Sequence, residues 1–202
     1  MRISSLAIAS ALIFAACGKE NNEELKQMDA LSGTYEYISL YVKGTSEIIY
    51  KDGNDNISMV SEMEYTSREM AGMVLFEQGS MTTSGYTYKV NSDYNFQSFT
   101  NGKADGPVQS LPFQFSTPKV NGVSQYRIAG DSVFLDKAFN HLPGAGGQPG
   151  QIPAIPVEAK FSLSNGDLSI ISSVSLVSHL TQEGIPATQH QRFVMISRLK
   201  KR

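Results

Sequence analysis

Residues 157–176 read Val157-Glu-Ala-Lys-Phe-Ser-Leu-Ser-Asn-Gly-Asp-Leu-Ser-Ile-Ile-Ser-Ser-Val-Ser-Leu176. Apolar side chains alternate with polar ones on both sides of Asn165-Gly166, a dipeptide typical of tight hairpin turns. A period of two residues indicates a strand with one buried face, because successive side chains of a strand point to opposite sides of the sheet. The stretch therefore predicts two antiparallel strands joined by a hairpin.

The same alternation recurs along the chain from Thr34 onward, where no helical period is found. Its clearest further examples are Ile57, Met59, Met63 and Tyr65, and then Leu111, Phe113 and Phe115. Turns are predicted at Asp52-Gly53, Gly79-Ser80, Asn101-Gly102, Asn121-Gly122, Gly130-Asp131 and Asn165-Gly166. Short strands joined by local hairpins form a closed barrel or a sandwich. We expect an all-β domain, a single antiparallel up-and-down barrel with a β-sandwich as the alternative, preceded by a short helix within residues 22–31.

The composition excludes one class of function. The chain has a formal net charge of −2 at pH 7, and its longest basic run is the terminal Lys200-Lys201-Arg202. A protein that binds nucleic acid needs a basic face to neutralise phosphates, so we expect no nucleic-acid partner. The chain has one cysteine, so no disulfide can form within it.

The first 16 residues predict an exported protein. Arg2 precedes an apolar run from Ile3 to Ala16, which is too short to span a bilayer and is typical of a signal peptide. The sequence that ends at Cys17 resembles the lipobox of bacterial lipoproteins, with Phe14 where that family has Leu, Val or Ile. The resemblance implies cleavage before Cys17, lipidation of its thiol and a membrane anchor. Residues 17–31 would form the tether and contain the short helix. In enteric bacteria an Asp directly after the lipidated Cys retains a lipoprotein in the inner membrane; this chain has Gly18 there, which favours the outer membrane.

Residues 32–202 resemble the lipocalin-like families of bacterial lipoproteins, which belong to the calycin group of β-barrels. Gly33-Thr34-Tyr35 is similar to the start of a lipocalin first strand, and Phe193 to Leu199 is similar to the closing strand. The resemblance implies that Tyr35 closes the base of the barrel and that Arg198 stacks over its ring through a cation–π contact.

Methionines are concentrated in one part of the sequence. Met59, Met63, Met70 and Met73 lie close together, and the strand that follows carries Tyr86 and Tyr88. Flexible thioether side chains suit a cavity for irregular apolar ligands, and these six residues are the candidate ligand-binding set. Core packing is the alternative interpretation of the methionines, and a Cu(I) site is a third.

No sequence motif indicates catalysis or a complete metal site. A symmetric hairpin around Gly184-Ile185 would place His179 opposite His190, but two imidazoles are too few for zinc. Asp52 to Asn56 resembles the start of a calcium loop without its turn glycine and its bidentate Glu. No nucleophile elbow, phosphate loop or dinucleotide fingerprint occurs, so we expect neither a cofactor nor an enzyme.

The longest irregular stretch is the Pro- and Gly-rich segment 143–156, which we interpret either as a docking arm or lid or as a tolerated insertion. The leading functional hypothesis is a lipid-anchored envelope lipoprotein that binds a small apolar ligand. The alternative is an interaction or scaffold module in an envelope protein assembly.

Overall fold

The computed structural model describes residues 31–137, 141–143, 149–151, 156–182 and 184–202. Within these residues the chain is built from β-strands that pair antiparallel throughout, which confirms the predicted all-β class. The predicted helix lies, apart from Leu31, outside the described part of the chain. The strands are β1 (Gly33–Asp52), β2 (Asp55–Thr66), β3 (Arg68–Glu77), β4 (Ser80–Thr100), β5 (Lys103–Ala104), β6 (Gln109–Ser116), β7 (Val120–Ala129), β8 (Ser132–Leu135), β9 (His141–Pro143), β10 (Pro149–Gln151), β11 (Val157–Ser164), β12 (Asp167–Gln182) and β13 (Ile185–Lys201).

Eight strands close into a ring at the end of the molecule where β1 begins and β13 finishes. In the order of pairing they are β1, β3, β4, β7, β8, β11, β12 and β13, and β13 pairs again with β1. The closing pair joins the first strand to the last, with Tyr35 opposite Lys201. Most neighbours in the ring are also close in sequence, as expected for strands joined by hairpins.

Beyond the ring, six strands continue as an open sheet in the order β12, β13, β1, β2, β4 and β6. Strand β4 exchanges neighbours on the way, because it leaves β3 and β7 and then pairs with β2 and β6. Strand β1 has 20 residues and takes part in both regions. At ~3.3 Å per residue such a strand extends over roughly 65 Å, so the far edge of the open sheet lies well away from the ring.

A line of bulges, which we call the crease, separates the two regions. Strand β1 shifts its register between Tyr37 and Ser39, and β4 does so after Thr83. A bulge adds one residue to a strand and so moves all following side chains to the other face. The buried positions of β1 accordingly change from odd numbers at Tyr35 to even numbers at Leu40. Strands β12 and β13 pair with each other without any such shift.

The interior contains two clusters of buried side chains, one for each region, and Tyr37 contacts both of them. In the ring, the Phe76 ring packs edge to face against Tyr35 at 5.8 Å and against Tyr126 at 5.4 Å. The ring cluster contains Leu31, Tyr35, Val74, Phe76, Met81, Tyr126, Ile128, Val133, Ala159, Leu168 and Leu199. The second cluster contains Leu40, Val42, Tyr65, Tyr86, Tyr88, Val90, Phe113, Phe115, Val174, Phe193 and Met195.

The turns at Asn101-Gly102, Gly130-Asp131 and Asn165-Gly166 are confirmed, and the two predicted at Asp52-Gly53 and Gly79-Ser80 lie one residue away, at residues 53–54 and 78–79. The turn predicted at Asn121-Gly122 is wrong because both residues lie inside β7. The Asn121 side chain accepts a hydrogen bond from the Gly85 N–H at 2.7 Å, at the bulge of β4. A dipeptide that is typical of hairpins thus serves here to satisfy a backbone donor that the crease leaves without a strand partner.

Candidate functional site

The inner face of the open sheet, which we call the trough, continues the interior of the ring. One row of side chains crosses all six strands and comprises Val174, Phe193, Gly44, Met63, Tyr94 and Leu111. Val174 and Phe193 are buried, Met63 and Tyr94 are half-buried, and Leu111 is exposed. The row is therefore an apolar surface that becomes accessible to solvent toward β6.

Gly44 shapes the floor of the trough. A Cβ atom at this position would lie 2.1 Å from Cδ1 of Phe193 and 2.8 Å from the Arg192 carbonyl oxygen. The Phe193 ring therefore covers the backbone of β1, and Met63 lies opposite Gly44 on the other side. The absence of a side chain at position 44 leaves the space that the Phe193 ring occupies.

Polar side chains occupy the middle of the trough farther from the ring. The next row is Leu176, Gln191, Ser46, Ser61, Phe96 and Gln109. Gln189 donates a hydrogen bond to Ser46 Oγ at 2.9 Å, and Ser178 donates one to Gln189 Oε1 at 3.4 Å. These groups satisfy one another, so the trough combines apolar ends with a polar centre that is already hydrogen-bonded.

Aromatic side chains pack on the inner face between this row and the ring. Tyr65 packs edge to face against Phe113 and Phe115, with ring centroids 5.8 and 6.2 Å apart. Tyr88 meets Phe115 at 5.8 Å. Burial raises the pKa of the Tyr65 and Tyr88 hydroxyls well above the usual value, so both remain uncharged at physiological pH.

The structure brings together most of the candidate ligand-binding residues. Tyr86 and Tyr88 are buried in the second cluster, and Met63 and Met70 pack against it as partly buried side chains. Met59 lies four residues before Met63, on the same face of β2 and half-buried. Met73 is not part of this group, because β3 turns it outward and 41% of its surface is exposed.

The predicted contact between Tyr35 and Arg198 is absent from the structure. Arg198 is exposed and lies opposite Ser39 in the register of β1 and β13. The cation over the Tyr35 ring is Lys201, whose Nζ lies 5.7 Å from the ring centroid and donates a hydrogen bond to the Ser32 carbonyl at 2.9 Å. The register between β1 and β13 therefore places Lys201 next to Tyr35, three residues after the Arg198 that the family resemblance implies.

Two sequence predictions fall on parts that the structure does not describe. Cys17, with the signal peptide and most of the tether, lies outside the described residues. Within segment 143–156 the described residues are Pro143, β10 and Pro156, and β10 pairs antiparallel with β9, with Gly150 opposite Leu142.

The outer face of the open sheet has a groove of about 1170 Å³ that the sequence analysis missed. Its charged side chains are Lys43, Glu62, Glu64, Asp93 and Arg192. Lys43 Nζ lies 3.0 Å from Glu64 Oε2, and Tyr41 donates a hydrogen bond to Glu64 Oε1 at 2.9 Å. These two hydrogen bonds hold the pKa of Glu64 below its ordinary value. The sequence does contain an indication of this groove: the charged residues Lys43, Glu62 and Glu64 directly flank the inward-facing Gly44 and Met63 and therefore point to the outer face.

The two C-terminal histidines do not face each other as predicted. His179 lies opposite Thr188, whose hydroxyl is 3.4 Å from His179 Nδ1, and His190 lies opposite Val177. The register differs because Gln182 pairs with Ile185, so the turn lies one residue earlier than predicted. In the described residues no three His, Cys, Asp or Glu side chains are grouped so as to hold a metal ion.

None of the described residues forms a helix that is long and apolar enough to cross a membrane. A comparison of the chain with protein-family models, with curated proteins and with solved structures finds no match.

Proposed function

We propose that this chain is a lipid-anchored lipoprotein of the cell envelope, attached through Cys17 to the outer membrane, and that its trough binds a small apolar ligand. The observation that carries the proposal is the apolar row from Val174 to Leu111, which passes from buried to exposed across six strands. Apolar surface of this kind, with a few placed polar groups, is typical of binding sites for small molecules. The proposed domain is a lipocalin-like β-barrel that is closed at the ring and opened along the trough.

The position of the tether supports this arrangement. Leu31 is buried in the ring cluster, so the chain from Cys17 enters the domain at the ring end. The trough lies at the opposite end of β1, where the sheet is open. An anchor at one end thus leaves the binding face free at the other.

Fluorescence of 1-N-phenylnaphthylamine, a probe of apolar sites, tests the ligand-binding proposal. We expect the full-length protein to enhance its fluorescence, Met63→Glu to abolish the effect because it places a charge on the floor of the trough, and Met73→Glu to leave it unchanged on the outer face. Native mass spectrometry of protein purified from its own envelope then gives the mass of the resident ligand. Equal fluorescence of the two variants, or none with the parent protein, would contradict the proposal.

Incorporation of labelled palmitate tests the anchor separately. We expect label in the parent protein and none in Cys17→Ser, which should also leave the membrane fraction. An unlabelled parent protein would refute lipidation and leave the trough proposal intact.

A second candidate function, an interaction module in an envelope assembly, is favoured by one observation. The edge strand β12 pairs with β13 on one side, but beyond Ser172 its other side has no strand partner among the described residues.

A further inference from the structure

The open sheet has two edge strands, β12 and β6, which differ in how well they are protected against pairing with a further strand. Strand β12 pairs with β11 only as far as Ser172, so residues 173–182 have β13 on one side and no described strand on the other. Strand β6 is paired only with β4. Each edge presents backbone N–H and C=O groups that a further strand could bind.

Only one of these edges carries a device that prevents pairing. Pro112 lies in the middle of β6, where it removes a backbone donor. The β12 edge reads Ser173-Val-Ser-Leu-Val-Ser-His-Leu-Thr-Gln182, without Pro, Gly, Lys, Arg, Asp or Glu. Natural edge strands are usually protected by such residues, so an unprotected run of this length indicates a strand that is used for pairing.

The side chains along this edge also indicate that it is used for pairing. Val177 is 61% exposed, the largest exposed fraction among the exposed large apolar side chains of the described residues. It lies in the middle of the edge, with exposed Ser175 and His179 on either side of it on the same face. An exposed apolar residue at the centre of an open edge is what a β-strand partner would cover.

We propose that residues 173–182 pair antiparallel with the same residues of a second copy of this chain, which joins two open sheets into one. The absence of charged residues makes the strand self-complementary, because no like charges would face each other across the pair. A different partner would leave the run without charge for no evident reason. The interface is isologous and has two-fold symmetry.

Face matching limits the register of the pair. Odd-numbered residues of β12 point outward and even-numbered residues point into the trough, so opposite residues must have numbers of the same parity. The register centred on Val177 places this residue against its own copy and Val174 against Leu180. Every pair then joins the same face of the two sheets.

The geometry also sets the orientation of the two copies. Antiparallel strands place the two rings at opposite ends of the joined sheet. Both tethers start at the ring end, so the two long axes would lie along the membrane plane. The proposal itself depends neither on the anchor nor on the apolar ligand.

Sedimentation of the full-length protein in detergent tests the proposal, with charge variants at Val177. We expect the parent protein to sediment as a dimer, and Val177→Lys and Val177→Glu each to sediment as a monomer because like charges would meet at the two-fold axis. A mixture of the two variants should recover the dimer. Val123→Lys, at a residue 54% exposed on β7, is the matched control and should remain dimeric.

The mixture protects the test against a folding defect, because a misfolded variant would not recover the dimer. A monomeric parent protein, a Val177→Lys dimer, or a mixture that stays monomeric although both variants keep the circular dichroism spectrum of the parent protein would overturn the proposal. A second measurement is bismaleimide cross-linking of Val177→Cys, for which the parent chain with its single Cys17 sets the background. Cross-links to another protein in place of a second copy would also overturn it.

Discussion

The ring and the trough are parts of one sheet, yet the inner face is fully buried in the ring and only partly buried on the β2, β4 and β6 side of the trough, whereas Val174 and Phe193 on its other side are buried. In the ring the inner side chains meet each other from all sides, and Tyr35, Phe76 and Ile128 are essentially inaccessible to solvent. In the trough the same alternation leaves Met63, Tyr94 and Phe96 half-exposed, because no opposite wall covers them among the described residues. Closure of the sheet into a ring, rather than the alternation of apolar and polar residues along a strand, therefore determines how much each apolar side chain contributes to stability.

The largest expected effect is the difference in unfolding free energy lost when a phenylalanine is removed from the ring and when one is removed from the trough. We expect Phe76→Ala in the ring to cost about 3–5 kcal/mol, because it opens a cavity among packed neighbours. Phe96→Ala in the trough should cost about 1 kcal/mol, because that side chain is already partly in water. Urea unfolding with constant m-values measures both. Equal costs would mean that the trough is as closely packed as the ring.

The crease between the regions is sensitive to a single methyl group. Gly72 has a φ of +121°, and a Cβ there would lie 2.6 Å from the Tyr86 Cα, so we expect Gly72→Ala to cost about 2–4 kcal/mol. Gly85 has a φ of +64° with open space around it, and Gly85→Ala should cost only about 1 kcal/mol. Thermal unfolding of the two variants provides the measurement. A milder effect at Gly72 would show that β3 and β4 can move apart.

High pH should weaken the junction between the two regions. Burial raises the pKa of Tyr37, Tyr65, Tyr86 and Tyr88 in the folded state, whereas the unfolded chain ionises its tyrosines near ~10. The folded state therefore holds these protons more tightly, and its stability should be intact below pH ~10 and decrease as the pH rises further.

Tyrosinate absorbance followed together with circular dichroism measures this decrease. We expect these four tyrosines to ionise only as the protein unfolds, so that their absorbance change coincides with the loss of the circular dichroism signal. Ionisation of all nine tyrosines near their ordinary pKa in a folded protein would contradict the buried positions.

The smallest effect is expected on the outer face. The ion pair of Lys43 and Glu64 is exposed and screened by solvent, so Lys43→Met should leave the unfolding midpoint unchanged within error. Glu64→Gln should do the same, since both groups are surrounded by water. Chemical unfolding compared at low and high salt checks this, and a clear loss in either variant would assign the groove a structural role.

The alternation from Val157 to Leu176 was sufficient to predict antiparallel strands and the turn at Asn165-Gly166. It could not predict the crease, because a bulge is defined by the partner strand and not by the sequence that contains it. Ile38 illustrates this limit, since it is a large apolar residue that lies at the register shift of β1 and is 52% exposed.

The trough could be predicted in part from residue type. The two-residue spacing predicts one buried face for Met59 and Met63, and both are partly buried on the inner face. Met70 and Met73 are candidates only because methionines are concentrated there; Met70 packs against the second cluster, whereas Met73 faces solvent. The role of Gly44 could not be found from the sequence, because it depends on Phe193, which is distant in the chain and adjacent only once β1 and β13 pair.

The closing pair of the ring also determines when this protein can fold. Arg202 donates its backbone N–H to the Thr34 carbonyl at 3.0 Å and binds the Glu36 carboxylate at 2.9 Å, across 166 positions of sequence. The first strand must therefore wait for the last one to be synthesised, and pairings of such long range make folding slow. Closure of the ring, rather than formation of the local hairpins, is therefore the step that we expect to limit the rate of refolding.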